Sequence, residues 1–154
     1  MADCPRRSWV WANSVTRPGA VGFDAAEPTF FTWLGVVPYL TEEAVFATLG
    51  FIANLSGGAH VVFDYRNPPN TYFDQDEHDA AREALAARVA SLGEAFKSEF
   101  ETDELHAKLT VLGFREIEDL SPRSIRERYF PNRGGDSRDR GGHIIHTQRC
   151  VDVR

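Results

Sequence analysis

Uncharged, aromatic and β-branched residues occupy two short runs that we interpret as buried strands. The first run extends from Thr29 to Val37 and the second from Val61 to Tyr65. Strands that lack polar alternation are typical of a parallel sheet covered by helices on both faces. The segment that begins at Thr41 has apolar residues at helical spacing. The pattern therefore predicts a right-handed βαβ unit, whose ligand-binding edge lies at the carboxyl ends of the strands.

Helical periodicity and turn signals predict the other elements of an α/β fold in the order β-α-β-α-α-β-α-β. The first helix begins at the N-cap Thr41 and ends near Ser56 to Gly58, where glycine favours a stop. Three further helices are predicted: one over Asp76 to Leu92, one that Thr102 caps, and one that starts at Ser121-Pro122 and ends near Phe130. Two further strands are predicted over Phe114 to Leu120 and His143 to Val153. Trp9 to Trp11 is interpreted as the start of a short strand or an arm.

Composition is that of an ordinary globular protein with one domain. The 154 residues are 42% hydrophobic and 26% charged, and the formal net charge is −6. A negative charge argues against a nucleic acid or an anionic membrane as the partner. Two distant cysteines, Cys4 and Cys150, indicate free thiols in a reducing compartment, and no apolar run approaches the ~20 residues of a membrane span. We therefore expect a cytoplasmic protein.

The glycine-rich turn of a nucleotide-binding sheet is missing from the sequence. Such a sheet usually begins with a strand, a glycine-rich turn and a helix whose N-terminus holds the ligand. Gly57-Gly58 precedes a strand, while Gly134-Gly135 and Gly141-Gly142 follow none, and no G-x-G-x-x-G occurs. The cofactor-cradling half of such a fold is therefore predicted to be absent. The outer edge of the first buried strand is then predicted to be unprotected, which favours association.

An ordered set of motifs resembles the S-adenosylmethionine-dependent methyltransferases of the leucine carboxyl methyltransferase-like group. The motifs are Gly22-Phe23-Asp24, Pro28-Thr29, Trp33 to Thr41, Ala44-Val45, Val61 to Tyr65, Gly93-Glu94, Leu112 to Phe114 and Arg128 to Phe130. Residues 1–21 are accordingly interpreted as a divergent N-terminal segment and residues 22–154 as a partial methyltransferase domain. The resemblance implies the C-terminal half of a class I, Rossmann-like sheet, mostly parallel with an antiparallel last strand.

The resemblance also implies S-adenosyl-L-methionine as the cofactor and suggests which residues lie near it. The glycine-rich turn and the acidic residue that hold this cofactor in the family would lie upstream of Met1. An aspartate near the adenine corresponds to Asp3, and the Trp33 motif places Trp33, Leu34 and Gly35 close to the cofactor. Leu34 stands where many relatives carry glutamate, which removes a polar contact. Core packing is the more common role for an aromatic residue at a strand end, and an aromatic wall for adenine is the alternative for Trp33.

Four residues are candidates for contact with the methyl acceptor. Tyr39 follows the first strand and either lines the acceptor pocket or packs under the Thr41 helix. Asp64 and Tyr65 end the second strand, where Asp64 either positions the acceptor and attracts the sulfonium or caps the following loop. Arg128 suits a carboxylate through a bidentate pair, or else lies on a solvated helix face.

On sequence grounds, we reject the patterns that resemble metal ligands or a catalytic nucleophile. Asp74, Asp76 and His78 precede a helix, where acidic residues are common partners of the helix dipole. His143 and His146 lie three apart in a predicted strand and therefore point to opposite faces. There is no G-x-S-x-G elbow, and neither cysteine has a nearby histidine that the sequence alone would pair with it.

The leading hypothesis is that the chain is the C-terminal part of an O-methyltransferase that acts on a small carboxylate or hydroxyl acceptor. The chain itself is predicted to lack the glycine-rich cofactor loop. The methyl group would pass directly from the sulfonium to the acceptor, and the reaction would be accelerated mainly by orientation and desolvation of the reactants. The alternative is a non-catalytic remnant that acts as a scaffold or associates with itself through an exposed edge strand. An unrelated nucleotide-binding domain is disfavoured because no phosphate loop is present.

Overall fold

The structure is a computed structural model that describes residues 10–11, 23–68, 84, 87–88, 96–131 and 142–150. Its strands are β1 (Val10–Trp11), β2 (Thr29–Trp33), β3 (Ala59–Tyr65), β4 (Arg115–Leu120) and β5 (His143–Arg149). Its helices are α1 (Glu42–Ala53), α2 (Thr102–Val111) and α3 (Pro122–Tyr129), with a 3₁₀ turn at Val37–Tyr39. The described strands form one sheet in the order β1-β2-β3-β5-β4.

The last strand is inserted antiparallel inside an otherwise parallel sheet. β1, β2 and β3 pair in parallel, whereas β5 pairs antiparallel with both β3 and β4. β4 therefore runs in the same direction as β3. The predicted α/β class and the antiparallel last strand are both confirmed.

The outer edge of β2 is partly covered, which corrects the expectation of an unprotected edge. Val10 pairs with Thr29 and Trp11 pairs with Phe30, so β1 adds a fifth strand to the four predicted ones. The arm around Trp11 is therefore a strand. Sequence analysis missed its pairing because a strand of two residues has too little periodicity to be recognised.

β2 is shorter than predicted, ending at Trp33 rather than Val37. Gly35 adopts a positive φ of 72°, a conformation that leaves the extended strand and that glycine adopts at little cost. Pro38 lies in the 3₁₀ turn, where the absence of its N–H removes no hydrogen bond from the sheet. The uncharged run was therefore one strand followed by a turn.

Two of the predicted helix caps are confirmed and one is wrong. The Ala44 backbone N–H donates to Thr41 Oγ1 at 3.3 Å, and the Ser124 N–H donates to Ser121 Oγ at 3.2 Å. Thr102, however, is the first residue of α2 and Glu101 is its N-cap. The Thr102 hydroxyl is used instead in a contact with β3, which is described below.

Other boundaries differ by a few residues or lie outside the described part of the chain. α1 ends at Ala53, three residues before the predicted stop, and β5 ends at Arg149 rather than Val153. The predicted helix over Asp76 to Leu92 lies outside the described residues except at positions 84, 87 and 88, which are helical.

The hydrophobic core lies between one face of the sheet and helices α1 and α2. Its fully buried members include Val61, Phe63 and Ile145 from the sheet, Val45 and Leu49 from α1, and Leu105 and Leu109 from α2. Alternate residues of β3 face this core, as period-two geometry requires.

No helix in the described ranges is both long and apolar enough to span a bilayer.

Substitution of Gly57 tests how tightly the loop before β3 is packed, and substitution of Gly50 in α1 is the control. A Cβ on Gly57 would overlap the backbone of Ala26 and Glu27, whereas a Cβ on Gly50 in α1 meets nothing within 4 Å. We expect Gly57→Ala to lower the free energy of unfolding by about 1–3 kcal/mol. Gly50→Ala should raise it by about 0.5–1 kcal/mol, because alanine is the better helix former. Urea denaturation checks both, and equal stability of the two variants would contradict the packing.

Candidate functional site

The carboxyl ends of the parallel strands share one edge of the sheet, which is where ligands bind in folds of this type. β2 ends there with the turn at Leu34 and Gly35, and β3 ends there with Asp64 and Tyr65. β4 approaches the same edge, and the antiparallel β5 begins there. This edge, which we call the ligand edge, brings together most of the site residues predicted from the sequence.

Asp64 holds the turn that follows the neighbouring strand. The Gly35 backbone N–H donates to Asp64 Oδ1 at 2.6 Å, and Gly35 has the positive φ that the turn requires. Leu34 next to it is 49% exposed, so the turn presents its surface outward. Asp64 thus caps the turn after β2 rather than the loop after its own strand. Contact of Asp64 with an acceptor, and of Leu34 and Gly35 with a cofactor, stay predictions.

Trp33 and Tyr39 both pack against other aromatic rings. Trp33 lies against Phe63 with ring centroids 6.4 Å apart, at the margin of the core. Tyr39 lies against Phe96 with ring centroids 5.4 Å apart. The Arg66 guanidinium lies over the same Phe96 ring, 4.5 Å from its centroid. Roles for Trp33 at a cofactor and for Tyr39 at an acceptor stay predictions.

A segment without helix or strand structure, residues 96–100, bonds to two loops at the ligand edge. The Lys97 backbone N–H donates to the Pro38 carbonyl at 2.7 Å, in the 3₁₀ turn after β2. The Phe100 N–H donates to the Arg66 carbonyl at 2.8 Å, directly after β3. The segment therefore ties the ends of β2 and β3 together and supplies Phe96 as part of an aromatic wall beside the edge.

Tyr65 is fully buried and points toward α2 instead of outward. Its hydroxyl lies 2.6 Å from Asp119 Oδ2, 2.9 Å from Thr102 Oγ1 and 3.2 Å from His143 Nδ1. A buried phenol requires such partners, because an unsatisfied hydroxyl costs ~1–3 kcal/mol. The hydroxyl anchors the first turn of α2 to the sheet. A direct contact between Tyr65 and an acceptor stays a prediction.

Asp119 is the carboxylate at the centre of this buried network. It accepts hydrogen bonds from His143 Nδ1 and His106 Nε2, both at 2.8 Å, and from the Tyr65 hydroxyl. Burial by itself would raise the pKa of Asp119, but the hydrogen bonds from His143, Tyr65 and His106 lower it below its usual value. The charged carboxylate therefore contributes stability above about pH 4 that is lost as the pH falls through its lowered pKa.

His143 is oriented by Asp119 in a way that suits proton transfer. Because Nδ1 donates to Asp119, the neutral imidazole carries its lone pair on Nε2. Nε2 accepts no hydrogen bond from the part of the chain that the structure describes. A histidine held by a carboxylate at one nitrogen and open at the other has the arrangement of a general base.

Asp119, His106 and Thr102 were missed as site residues by sequence analysis. Asp119 lies one residue before the end of β4. The rule that selected Asp64 and Tyr65 would also have selected it, had the direction of β4 been known. Thr102 and His106 are four residues apart on α2 and therefore share a face. That spacing is common in helices and by itself indicates no site.

Arg128 lies on the exposed side of α3, apart from this network. Its guanidinium pairs with Glu118 and lies 5.6 Å from the centroid of the Tyr129 ring. The hydrogen bond and charge of Glu118 raise the pKa of Arg128 further. Recognition of a carboxylate by Arg128 stays a prediction, and Asp3 lies outside the described residues.

No metal centre of three or more ligands occurs among the described residues. Asp74, Asp76 and His78 lie outside them. His143 and His146 lie on opposite faces of the sheet, as predicted: His143 contacts Asp119, whereas His146 contacts His60.

The Tyr65 phenol can be tested by removing its hydroxyl alone. We expect Tyr65→Phe to lower the free energy of unfolding by about 1–3 kcal/mol, because Asp119 and Thr102 lose a buried partner. The matched control is Tyr129→Phe, at a tyrosine that is 57% exposed, which should change stability by less than about 0.5 kcal/mol. Thermal and urea unfolding at pH 7 measure both, and similar costs for the two variants would refute the anchoring role.

Comparison with known proteins identifies relatives of part of the chain. The leucine carboxyl methyltransferase family matches residues 11–53. YktD from Bacillus subtilis (strain 168), named as an S-adenosyl-L-methionine-dependent methyltransferase, is 33% identical over 106 residues, which are 68% of this chain and 34% of YktD. The crystal structure of a DUF574 family protein from Streptomyces avermitilis has a similar fold, with a TM-score of 0.54 and 14% identity over 82% of this chain and 46% of that protein.

Proposed function

We propose that this chain, which belongs to the leucine carboxyl methyltransferase-like group of S-adenosylmethionine-dependent methyltransferases, forms the acceptor side of an O-methyltransferase. The acceptor is a small molecule with a carboxylate or hydroxyl oxygen. The match spans about a third of the length of YktD, so the activity of a whole enzyme belongs to the proposal. We also propose a cytoplasmic location, which the two widely separated cysteines support.

The observation that carries this proposal is the composition of the ligand edge. At one end, Asp64 holds the exposed turn at Gly35, where a carboxylate attracts a positively charged sulfonium. At the other end, the Asp119 and His143 pair offers a proton acceptor. Tyr39 and Phe96 form an aromatic wall beside the edge. Together these groups suit a small acceptor that is oriented by stacking and by charge.

The cofactor would supply an activated methyl group on sulfur, which is transferred directly to the acceptor oxygen. The task of the chain is then to orient that oxygen and to exclude water from it. A carboxylate is already ionised and needs no base. A hydroxyl must lose its proton, and His143 Nε2 is the atom placed to take it while Asp119 stabilises the resulting imidazolium.

The two acceptor classes depend on different residues. A carboxylate would require a cation, and Arg128 is already paired with Glu118 on the exposed side of α3. A hydroxyl would require the Asp119 and His143 pair, which is preorganised inside the fold. The local geometry therefore supports a hydroxyl acceptor more directly, while both classes stay within the proposal.

The sequence has no glycine-rich cofactor turn, so we expect this chain by itself to bind cofactor poorly. Calorimetric titration with S-adenosylmethionine or S-adenosylhomocysteine should show no binding as tight as a micromolar Kd. Such a Kd corresponds to a binding free energy of roughly −8 kcal/mol. Circular dichroism of the same sample establishes that the protein is folded. Micromolar binding would refute this expectation, and its loss in Asp64→Asn would then assign the contact to the ligand edge.

A second candidate function is a scaffold that associates with itself through β2. β1 covers only Thr29 and Phe30, and no other described strand pairs with the outer side of Phe31 to Trp33. An open strand edge is a template for pairing with another copy. Sedimentation velocity distinguishes this candidate: concentration-dependent dimers that Thr32→Pro abolishes would support it. A strict monomer between roughly 1 and 100 μM would count against it.

A further inference from the structure

A second histidine pair lies on the opposite face of the sheet from the Asp119 network. The β3 and β5 register places Val62 opposite His146 and His60 opposite Gln148, so the two histidines are diagonal neighbours. His60 Nδ1 and His146 Nε2 are 3.0 Å apart, and the ring centroids are separated by 5.2 Å. Two imidazole nitrogens therefore face each other across adjacent strands.

An aromatic ring and one nearby carboxylate surround this histidine pair. The Phe30 ring stacks beside both histidines, with centroids 6.2 Å from His60 and 6.3 Å from His146. Burial is the main cause that lowers the pKa of His60, and the neighbouring His146 lowers it further. The negative charge of Glu116, from β4, acts in the opposite direction. A neutral imidazole is the form of histidine that binds metals.

The distance between the nitrogens fits a particular coordination geometry. Metal–imidazole bonds are about 2.0–2.1 Å long, so nitrogens 3.0 Å apart subtend roughly 90–97° at a shared metal. That angle suits two neighbouring positions of a square or octahedral complex. A tetrahedral zinc site would need the nitrogens about 3.3 Å apart, and it usually takes three or four protein ligands.

We propose that His60 and His146 form a two-histidine site for a divalent transition metal of square or octahedral preference, namely Cu²⁺ or Ni²⁺. The metal takes the place of the proton between the two nitrogens, the donating imidazole keeps that proton by tautomerising to its other ring nitrogen, and water fills the other positions. Glu116 supplies nearby negative charge. The site is separate from the ligand edge, because His60 lies five residues, or roughly 16 Å, before the end of β3.

The test is calorimetric titration of the tag-free full chain with CuCl₂ or NiCl₂ at pH 7.5. We expect one metal ion per chain. His60→Gln and His146→Gln should each weaken binding by ~10-fold or more, because each removes one of two ligands. His78→Gln, which changes a histidine outside the described residues, is the control and should bind as the unmodified chain does.

Electron paramagnetic resonance of the Cu²⁺-loaded unmodified chain gives a second measurement that no folding defect of a variant can obscure. We expect hyperfine coupling to two imidazole nitrogens, and weaker binding as the pH falls and protons compete for those nitrogens. Failure to bind below about 100 μM metal would overturn the proposal. Affinity unchanged in both His60→Gln and His146→Gln, or coupling to a single nitrogen, would also overturn it.

Discussion

The antiparallel insertion of β5 between β3 and β4 is the constraint on which both histidine arrangements depend. Seven residue pairs join β3 to β5, from Ala59 opposite Arg149 to Tyr65 opposite His143. Because side chains alternate between faces, this register directs His143 toward Asp119 and His146 toward His60. A shift of this register by one residue would move each side chain of β5 to the other face of the sheet and abolish both contacts.

Asp119 shows how a buried charge is stabilised by the groups around it. Removing a carboxylate from water is costly, and the hydrogen bonds from two histidines and a tyrosine offset that cost. The same bonds orient His143 and join α2, β3, β4 and β5 at one point. In the proposed mechanism, a base held by such a satisfied network is preorganised for proton transfer, because few groups must move when the proton does.

The ligand edge is also shaped by bonds between backbone and side chain in its loops. Asp64 holds the turn at Gly35, and residues 96–100 link the ends of β2 and β3. These contacts give the ligand edge its own rigidity. The sequence offers no glycine-rich turn of the kind that holds a nucleotide-like cofactor in such folds, so under the proposed function this sheet would orient the acceptor without holding the methyl donor.

Local chemistry in the sequence determined the α/β class, the βαβ unit and the caps at Thr41 and Ser121, because hydrophobic period and capping act within a few residues. The resemblance to a methyltransferase family added the antiparallel last strand. Only the tertiary structure decided the partners of the buried polar groups. His143 meets Asp119 across 24 positions of the chain, and His60 meets His146 across 86. Strand order and register set those distances, and neither is encoded in the local pattern of any one strand.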